Sequence, residues 1–249
     1  MTTTAIATSS PDDILVRGRS LPRELIGKLT LTEMLCLCVI GEVPDAHRIA
    51  AIDACLVALV EHGLTPSALA TRLVYGSAPE AMQGAVAAGL LGVGGQFVGT
   101  AEGCARLLAR VVAAADLDAE ASAIVAEAKA PLPGFGHDIH KPDDPRTPAL
   151  FAVARTHGVA GRHVAALEAL SRALDAAKRR HITINATGAV AAVLADAGIP
   201  IAVMRGFALV ARCAGLVGHV AEEQRSPVMR SIWEAAERAV PYQPEEKVR

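Results

Sequence analysis

Thirteen residues, Gly134 to Arg146, gather His137, Asp138, His140, Lys141, Asp143, Asp144 and Arg146 in a run that also holds two glycines and two prolines. An imidazole gains and loses a proton near neutrality, and a guanidinium or ammonium beside it can hold an anion. Gly134 and Gly136 let backbone amides approach a ligand closely, whereas Pro142 and Pro145 restrict φ and stiffen the far side. The pattern predicts a loop that recognises an anionic substrate and moves protons. The His137-x-x-His140 spacing also suits a metal pair, but no cysteine or acidic cluster completes a recognisable site, so no metal is expected. Two further candidates lie far away in the chain. His62 follows an apolar segment and either caps its end or contacts a ligand, and Arg212 sits in the apolar stretch from Phe207 to Val217, where its charge needs a partner.

The elements that position these residues are predicted to be helical. From His163 to Arg180 the apolar residues Val164, Leu167, Leu170, Leu174 and Ala177 recur every three or four positions, with Arg172, Asp175, Lys178 and Arg179 between them. Similar segments run over 32–40, 46–61, 66–75, 79–91, 99–115, 118–129, 188–197, 204–222 and 227–239. Strand signals are confined to Ile182-Thr183-Ile184. Thr65-Pro66 and Ser226-Pro227 place a capping hydroxyl before a proline at a permitted first-turn position. The expectation is an all-α, two-lobed fold: a flexible arm over 1–20, a large lobe from 21–98 and 187–249, and a small lobe over 99–186.

Composition narrows the function class. Hydrophobic residues make up 52% of the chain and aromatics 3%, so the core must be built from Ala, Val and Leu in closely packed helices. A net charge of -2 and few aromatic rings argue against nucleic-acid binding. The segment between Glu80 and Glu102 carries no charge and is long enough to span a membrane, but its glycines, Gln83 and Gln96 and the lack of flanking Trp, Tyr or basic clusters favour a buried helix and a glycine-rich bend. Five cysteines in apolar runs without CxxC spacing suit reduced core residues, and no secretory signal is read at the N-terminus; a cytoplasmic enzyme is expected.

The His137 loop resembles the citrate synthase family, in which a Gly-His, a basic residue and Asp-Pro-Arg form part of the active site. The resemblance extends from Leu56 to Glu223 through Glu61-His62-Gly63-Leu64, the helix at Ala85 to Gly89, the Ile184-Asn185 turn ending at Gly188, and Ala211-Arg212-Cys213-Ala214-Gly215. Gln96-Phe97-Val98-Gly99 and the short length look most like the citryl-CoA lyase branch, free-standing or as a module of ATP citrate lyase.

The resemblance implies carbon–carbon bond chemistry beside a CoA thioester substrate, with no permanently bound cofactor and no metal. It makes His137 the proton donor or acceptor and Arg146 and Arg212 the holders of tricarboxylate or oxoacid carboxylates. His62 becomes a further substrate contact, Pro133-Gly134-Phe135-Gly136 the segment receiving the CoA adenine, and Lys141 a contact for a CoA phosphate. It also implies a homodimer, closing a cleft between lobes, with Arg225 or Arg230 supplied to the neighbouring subunit. Two departures stand out. Val98 replaces the enolate-stabilising histidine of the synthases, as in lyases, and Thr187 replaces the aspartate of the lyase Asn-Val-Asp-Gly pattern. Another acid such as Asp138 or Glu102, a changed substrate, or acyl-CoA binding without turnover would each accommodate that loss.

Overall fold

The computed structural model describes residues 2–94 and 100–244. The chain opens with a three-stranded antiparallel sheet, β1 (Ala7–Ser9), β2 (Ile14–Val16) and β3 (Arg19–Ser20), followed by a π-helical turn at Leu21–Leu25. Eleven helices follow among the described residues: α1 (Leu31–Ile40), α2 (Ala46–Val60), α3 (Pro66–Ser77), α4 (Met82–Leu91), α5 (Thr100–Ala113), α6 (Leu117–Glu127), α7 (Arg146–Thr156), α8 (Arg162–Lys178), α9 (Ala186–Asp196), α10 (Ile201–Arg225) and α11 (Met229–Ala239). The fold is helical, as the periodicity implies. The arm expected to be flexible is instead hydrogen-bonded structure: Val16 and Leu25 are buried with Leu37, and Ser20 binds Asp13 Oδ1 at 2.8 Å. Its strands are too short for alternation to show in the sequence.

Helix ends explain most boundaries. Thr30 and Glu33 form a reciprocal cap on α1, which stops at Gly41 in the left-handed region, φ +84°. Asp116 caps α6 through the Asp118 and Ala119 amides. The cap of α8 comes from far along the chain: the Asp196 carboxylate accepts from the amides of Gly161, His163 and Val164 at 2.7, 3.0 and 3.0 Å. Thr65-Pro66 does start α3, although the threonine hydroxyl makes no capping bond. Ser226-Pro227 does not start a helix; α10 runs on to Arg225, and Glu223 Oε1 accepts from the Val228 and Met229 amides, both at 2.8 Å, to begin α11.

The chain divides into two compact units, 1–59 with 95–208 and 60–94 with 209–249. This differs from the expected lobes of 21–98 with 187–249 and 99–186. The reason is α9, which is buried along its length at Ala186 and from Gly188 to Leu194 and packs with α5, α7 and α8, so 187–208 joins the middle of the chain. In the first unit Leu108, Leu167, Leu170, Val190, Val193, Leu194 and Phe207 are almost fully buried. Each such side chain contributes roughly 1.5–3 kcal/mol. In the second unit α3 packs on α4, and Tyr75, Ala85 and Val220 form a cluster. The uncharged segment begins as α4, with Ala85 and Gly89 buried, and runs through Gly92 to Gly94; the rest of the glycine-rich bend, Gly95 to Gly99 with Gln96 and Val98, lies outside the described residues. Among the described helices, α10 alone is long and apolar enough to cross a membrane, and its Met204, Phe207, Leu216 and Val220 are buried within the protein.

Candidate active site

In the first unit, two short stretches of main chain are stitched together to build the loop. Gly136 N–H donates to Thr183 O at 2.8 Å and Asn185 N–H to Gly134 O at 3.1 Å, with Phe135 bridged to Ile184. Gly134 has φ +92°, and a Cβ on it would lie 2.5 Å from Cys104 Sγ. A Cβ on Gly188 would stand 2.5 Å from Gly134 O, so these glycines are needed for close backbone approach as well as for the turn. Pro133 packs on Gly103 at the side of this crossing. Lys141 is exposed.

His137 has a defined proton arrangement. Its Nδ1 accepts from the amides of Ile139 at 3.1 Å and His140 at 3.0 Å, which leaves the neutral ring's proton on Nε2. Burial and the neighbouring His140 hold its pKa below the usual histidine value; Arg146 adds to this, against the opposing pull of Asp144 and Asp138. The rings of His137 and His140 stand 4.4 Å apart, centroid to centroid. The arrangement presents a neutral N–H donor, able to polarise a carbonyl oxygen or to hold a hydroxyl oxygen.

Arg146 is the first residue of α7. Its Nε and Nη2 bind the two oxygens of Asp144 at 3.0 and 2.8 Å, leaving Nη1 outside that pair. Asp144 is fully buried and also accepts from the Arg146 and Ala186 amides at 3.1 and 2.9 Å. Burial pushes its pKa up, but the Arg146 bonds and the Ala186 amide outweigh this and hold it at about 2. Asp144 therefore joins α7 to the start of α9 and aims Arg146. Sequence reasoning missed it; the signal was the Asp-Pro-Arg triplet, which places a carboxylate just before a helix start. Nearby, His181 bridges Asp175 at 2.7 Å and Asp143 at 3.0 Å, tying the loop to the region after α8, and these carboxylates raise its pKa.

Thr187 lies in a chain of polar groups. It donates to Asn185 Oδ1 at 2.7 Å, Asn185 Nδ2 donates to Gly136 O at 2.9 Å, and Thr100 Oγ1 is 2.7 Å from Thr187 Oγ1. The Thr187 hydroxyl thus stands in this chain as a donor to Asn185, and an unactivated hydroxyl is a poor base near neutrality. Of the acids that could replace the missing carboxylate, Glu102 is paired with Arg205 at 2.9 Å and with Arg106 at 4.0 Å, while Asp138 is exposed beside His137.

In the second unit, α2 ends beside α10. Gly215 permits this approach, since a Cβ there would meet Val60 O at 2.0 Å. Glu61 Oε1 accepts from the His62 amide at 2.8 Å, and Glu61 Oε2 lies 3.0 Å from His219 Nε2. Burial pushes the Glu61 carboxyl up, but the His62 amide, His219 and the Arg212 charge hold it below the ordinary range. Arg212 is 4% exposed. Arg225 is exposed at the end of α10, and Arg230 pairs with Glu234 and covers the Trp233 ring.

The chain is similar to known proteins over most of its length. The family model described as citrate synthase, C-terminal domain, matches residues 13–233. A Mycobacterium tuberculosis protein carrying the name citrate synthase 2 is 32% identical over 190 residues, which cover 73% of this chain and 49% of the relative. The chain thus spans about half the length of the curated relatives it matches. Among solved structures, the citryl-CoA lyase of Hydrogenobacter thermophilus is 29% identical with a TM-score of 0.89, covering 100% of this chain and 97% of that one. A variant of Methanosaeta concilii ATP citrate lyase, in complex with (3S)-citryl-CoA, is 20% identical at 0.82 and covers 99% and 42%; it shares the fold. Citrate synthase from Thermotoga maritima is 18% identical at 0.69, covering 89% and 58%.

Proposed function

The chain belongs to the citrate synthase family, and from that premise we propose that it is a lyase-like enzyme. Its proposed reaction cleaves citryl-CoA, or a related 3-hydroxyacyl-CoA, into acetyl-CoA or another acyl-CoA and oxaloacetate or the matching oxoacid. The observation that carries this reading is Val98, which stands where the synthases have an enolate-stabilising histidine and the lyases have none, while Thr187 departs from the lyase pattern. In cleavage the substrate hydroxyl gives its proton to water, the carbon–carbon bond breaks to leave the acyl-CoA enolate, and the enolate carbon takes a proton back from water, because Thr187 offers no carboxyl group for that step. Similarity in sequence and fold to the Hydrogenobacter citryl-CoA lyase supports the same choice.

In this reading His137 Nε2–H holds the oxygen that changes from hydroxyl to carbonyl, while Arg146 and Arg212 each hold a substrate carboxylate through guanidinium pairing. His62 makes a further substrate contact. The Pro133 to Gly136 main chain receives the CoA adenine, with Lys141 near a CoA phosphate. The CoA thioester is substrate, and no permanently bound cofactor is assigned. A cytoplasmic homodimer is the proposed form. The free cysteines suit a reducing compartment. Ala214, Val217, Gly218 and Ala221 form an exposed, uncharged stripe on α10 that lets a second copy of the helix approach closely. Arg225, exposed at the end of that stripe, is the residue proposed to reach the neighbouring subunit.

The deciding experiment incubates purified protein with citryl-CoA and, separately, with acetyl-CoA and oxaloacetate. Cleavage without condensation is the expected result. Oxaloacetate-dependent CoA release would favour a condensing enzyme, and CoA binding without either activity a silent acyl-CoA-binding protein. Thr187→Asp should raise turnover, because it restores an acid at the enolate carbon; unchanged turnover in the folded variant would count against the alignment of this position.

A further inference from the structure

The second unit contains a buried polar chain that the proposed reaction has not used. Arg72, on α3, is 3% exposed and engages each edge of its guanidinium: Nε donates to His219 Nδ1 at 2.8 Å, Nη1 to Glu223 at 2.8 Å, and Nη2 to Glu222. Because Nδ1 accepts from a permanently charged arginine, His219 is neutral and carries its proton on Nε2. That nitrogen faces Glu61 Oε2 at 3.0 Å, at an angle short of a hydrogen bond's, so the hold is an N–H dipole against a carboxylate. Glu61 in turn accepts from the His62 amide and faces the charge of Arg212.

We infer that His219 is a positioning residue for substrate-carboxylate binding: Arg72 selects its tautomer, and its Nε2–H orients Glu61, which sets the His62 main chain and balances Arg212. The inference rests on the proposed substrate role of Arg212 and His62. It has a physical motive. A buried guanidinium that must release and regain a carboxylate guest needs a fixed counter-charge of defined direction, or it would collapse onto that charge and lose its aim. A glutamate held by both a backbone amide and an imidazole cannot swing freely, whereas a free glutamate could pair bidentately with the arginine and exclude the substrate.

Two substitutions separate this role from simple packing. His219→Asn keeps an acceptor for Arg72 but loses the group that reaches Glu61; His219→Gln keeps a donor toward Glu61 and weakens the Arg72 contact. Citrate affinity by calorimetry, citryl-CoA kcat and KM, and the thermal midpoint are measured for the full chain and both variants. Expected are a citrate affinity and kcat/KM about tenfold lower in His219→Asn with kcat less affected than KM, and values within about threefold of wild type in His219→Gln despite its lower midpoint. Equal citrate affinity in all three proteins, none included, overturns the inference, as do losses that follow the thermal midpoint in both variants. If neither variant folds, the imidazole nitrogen shifts of His219 in the wild type decide: a proton on Nδ1, or on both nitrogens, overturns the inference, and a proton on Nε2 alone supports it. A wild type that cleaves no citryl-CoA but whose citrate affinity falls in His219→Asn alone defeats the lyase reading and leaves the relay standing.

Discussion

His137 illustrates how a loop sets the protonation of its own side chain. Two backbone amides occupy Nδ1, so protonating the ring would turn an acceptor into a donor facing donors. In the proposed reaction the neutral form is the competent one, and its pKa is held below the usual 6.5. The rate with citryl-CoA should therefore stay level through neutrality and fall only as the pH drops below that value; a limb falling above pH 6.5 on acidification would contradict the assignment. His137→Ala should abolish cleavage with little change in thermal midpoint. Asp144 gives a second test. Its folded pKa of about 2 lies below the unfolded 3.8, so the stability it contributes is present above about pH 4 and is lost as the pH falls toward 2. The shift corresponds to about 2 kcal/mol. Asp144→Asn should cost about that much in urea unfolding at pH 7, flatten the acid dependence, and raise KM because Arg146 loses its aim.

Helices and turns show where local chemistry governs and where it does not. The periodic helix α8 has Val164, Leu167, Leu170 and Leu174 buried, as its spacing implies, because one apolar stripe suffices to define a face. Helix α7 escaped the sequence reading: Pro148 and a mixture of Arg, Thr and apolar residues blur its period, and its start is set by Asp144, whose partners are supplied by Arg146 and by Ala186 at the start of α9. The caps from Asp196 and Glu223 were likewise invisible to a search for a hydroxyl immediately before the helix. At the α2 and α10 contact the controlling residue is Gly215. Gly215→Ala should destabilise the protein by about 1–3 kcal/mol, since the clash is with the Val60 carbonyl and backbone cannot yield as a side chain does. Circular dichroism with thermal or urea unfolding reads this directly; an unshifted midpoint would show that the two helices separate easily.

At the scale of the whole molecule, the proposed homodimer makes a prediction independent of catalysis. Val217 is 43% exposed on the uncharged stripe of α10, and Val217→Glu should convert a dimer to a monomer in sedimentation without unfolding the chain. A monomeric wild type would remove the stripe's proposed role. Sequence alone determined that this protein is helical, aromatic-poor in its core and a member of a family acting beside CoA thioesters, because periodicity, composition and an ordered set of motifs are local or one-dimensional properties. It also singled out His137, Arg146, Arg212 and Thr187. Only tertiary structure decided what state those groups occupy: the Nε2 proton of His137, the Asp144 clamp on Arg146, and the donation from Thr187 to Asn185. The same holds for the division into units, with its cut inside α10. Such facts depend on partners tens or hundreds of positions away, and a hydrogen bond between distant residues leaves no period or spacing in the chain that makes it.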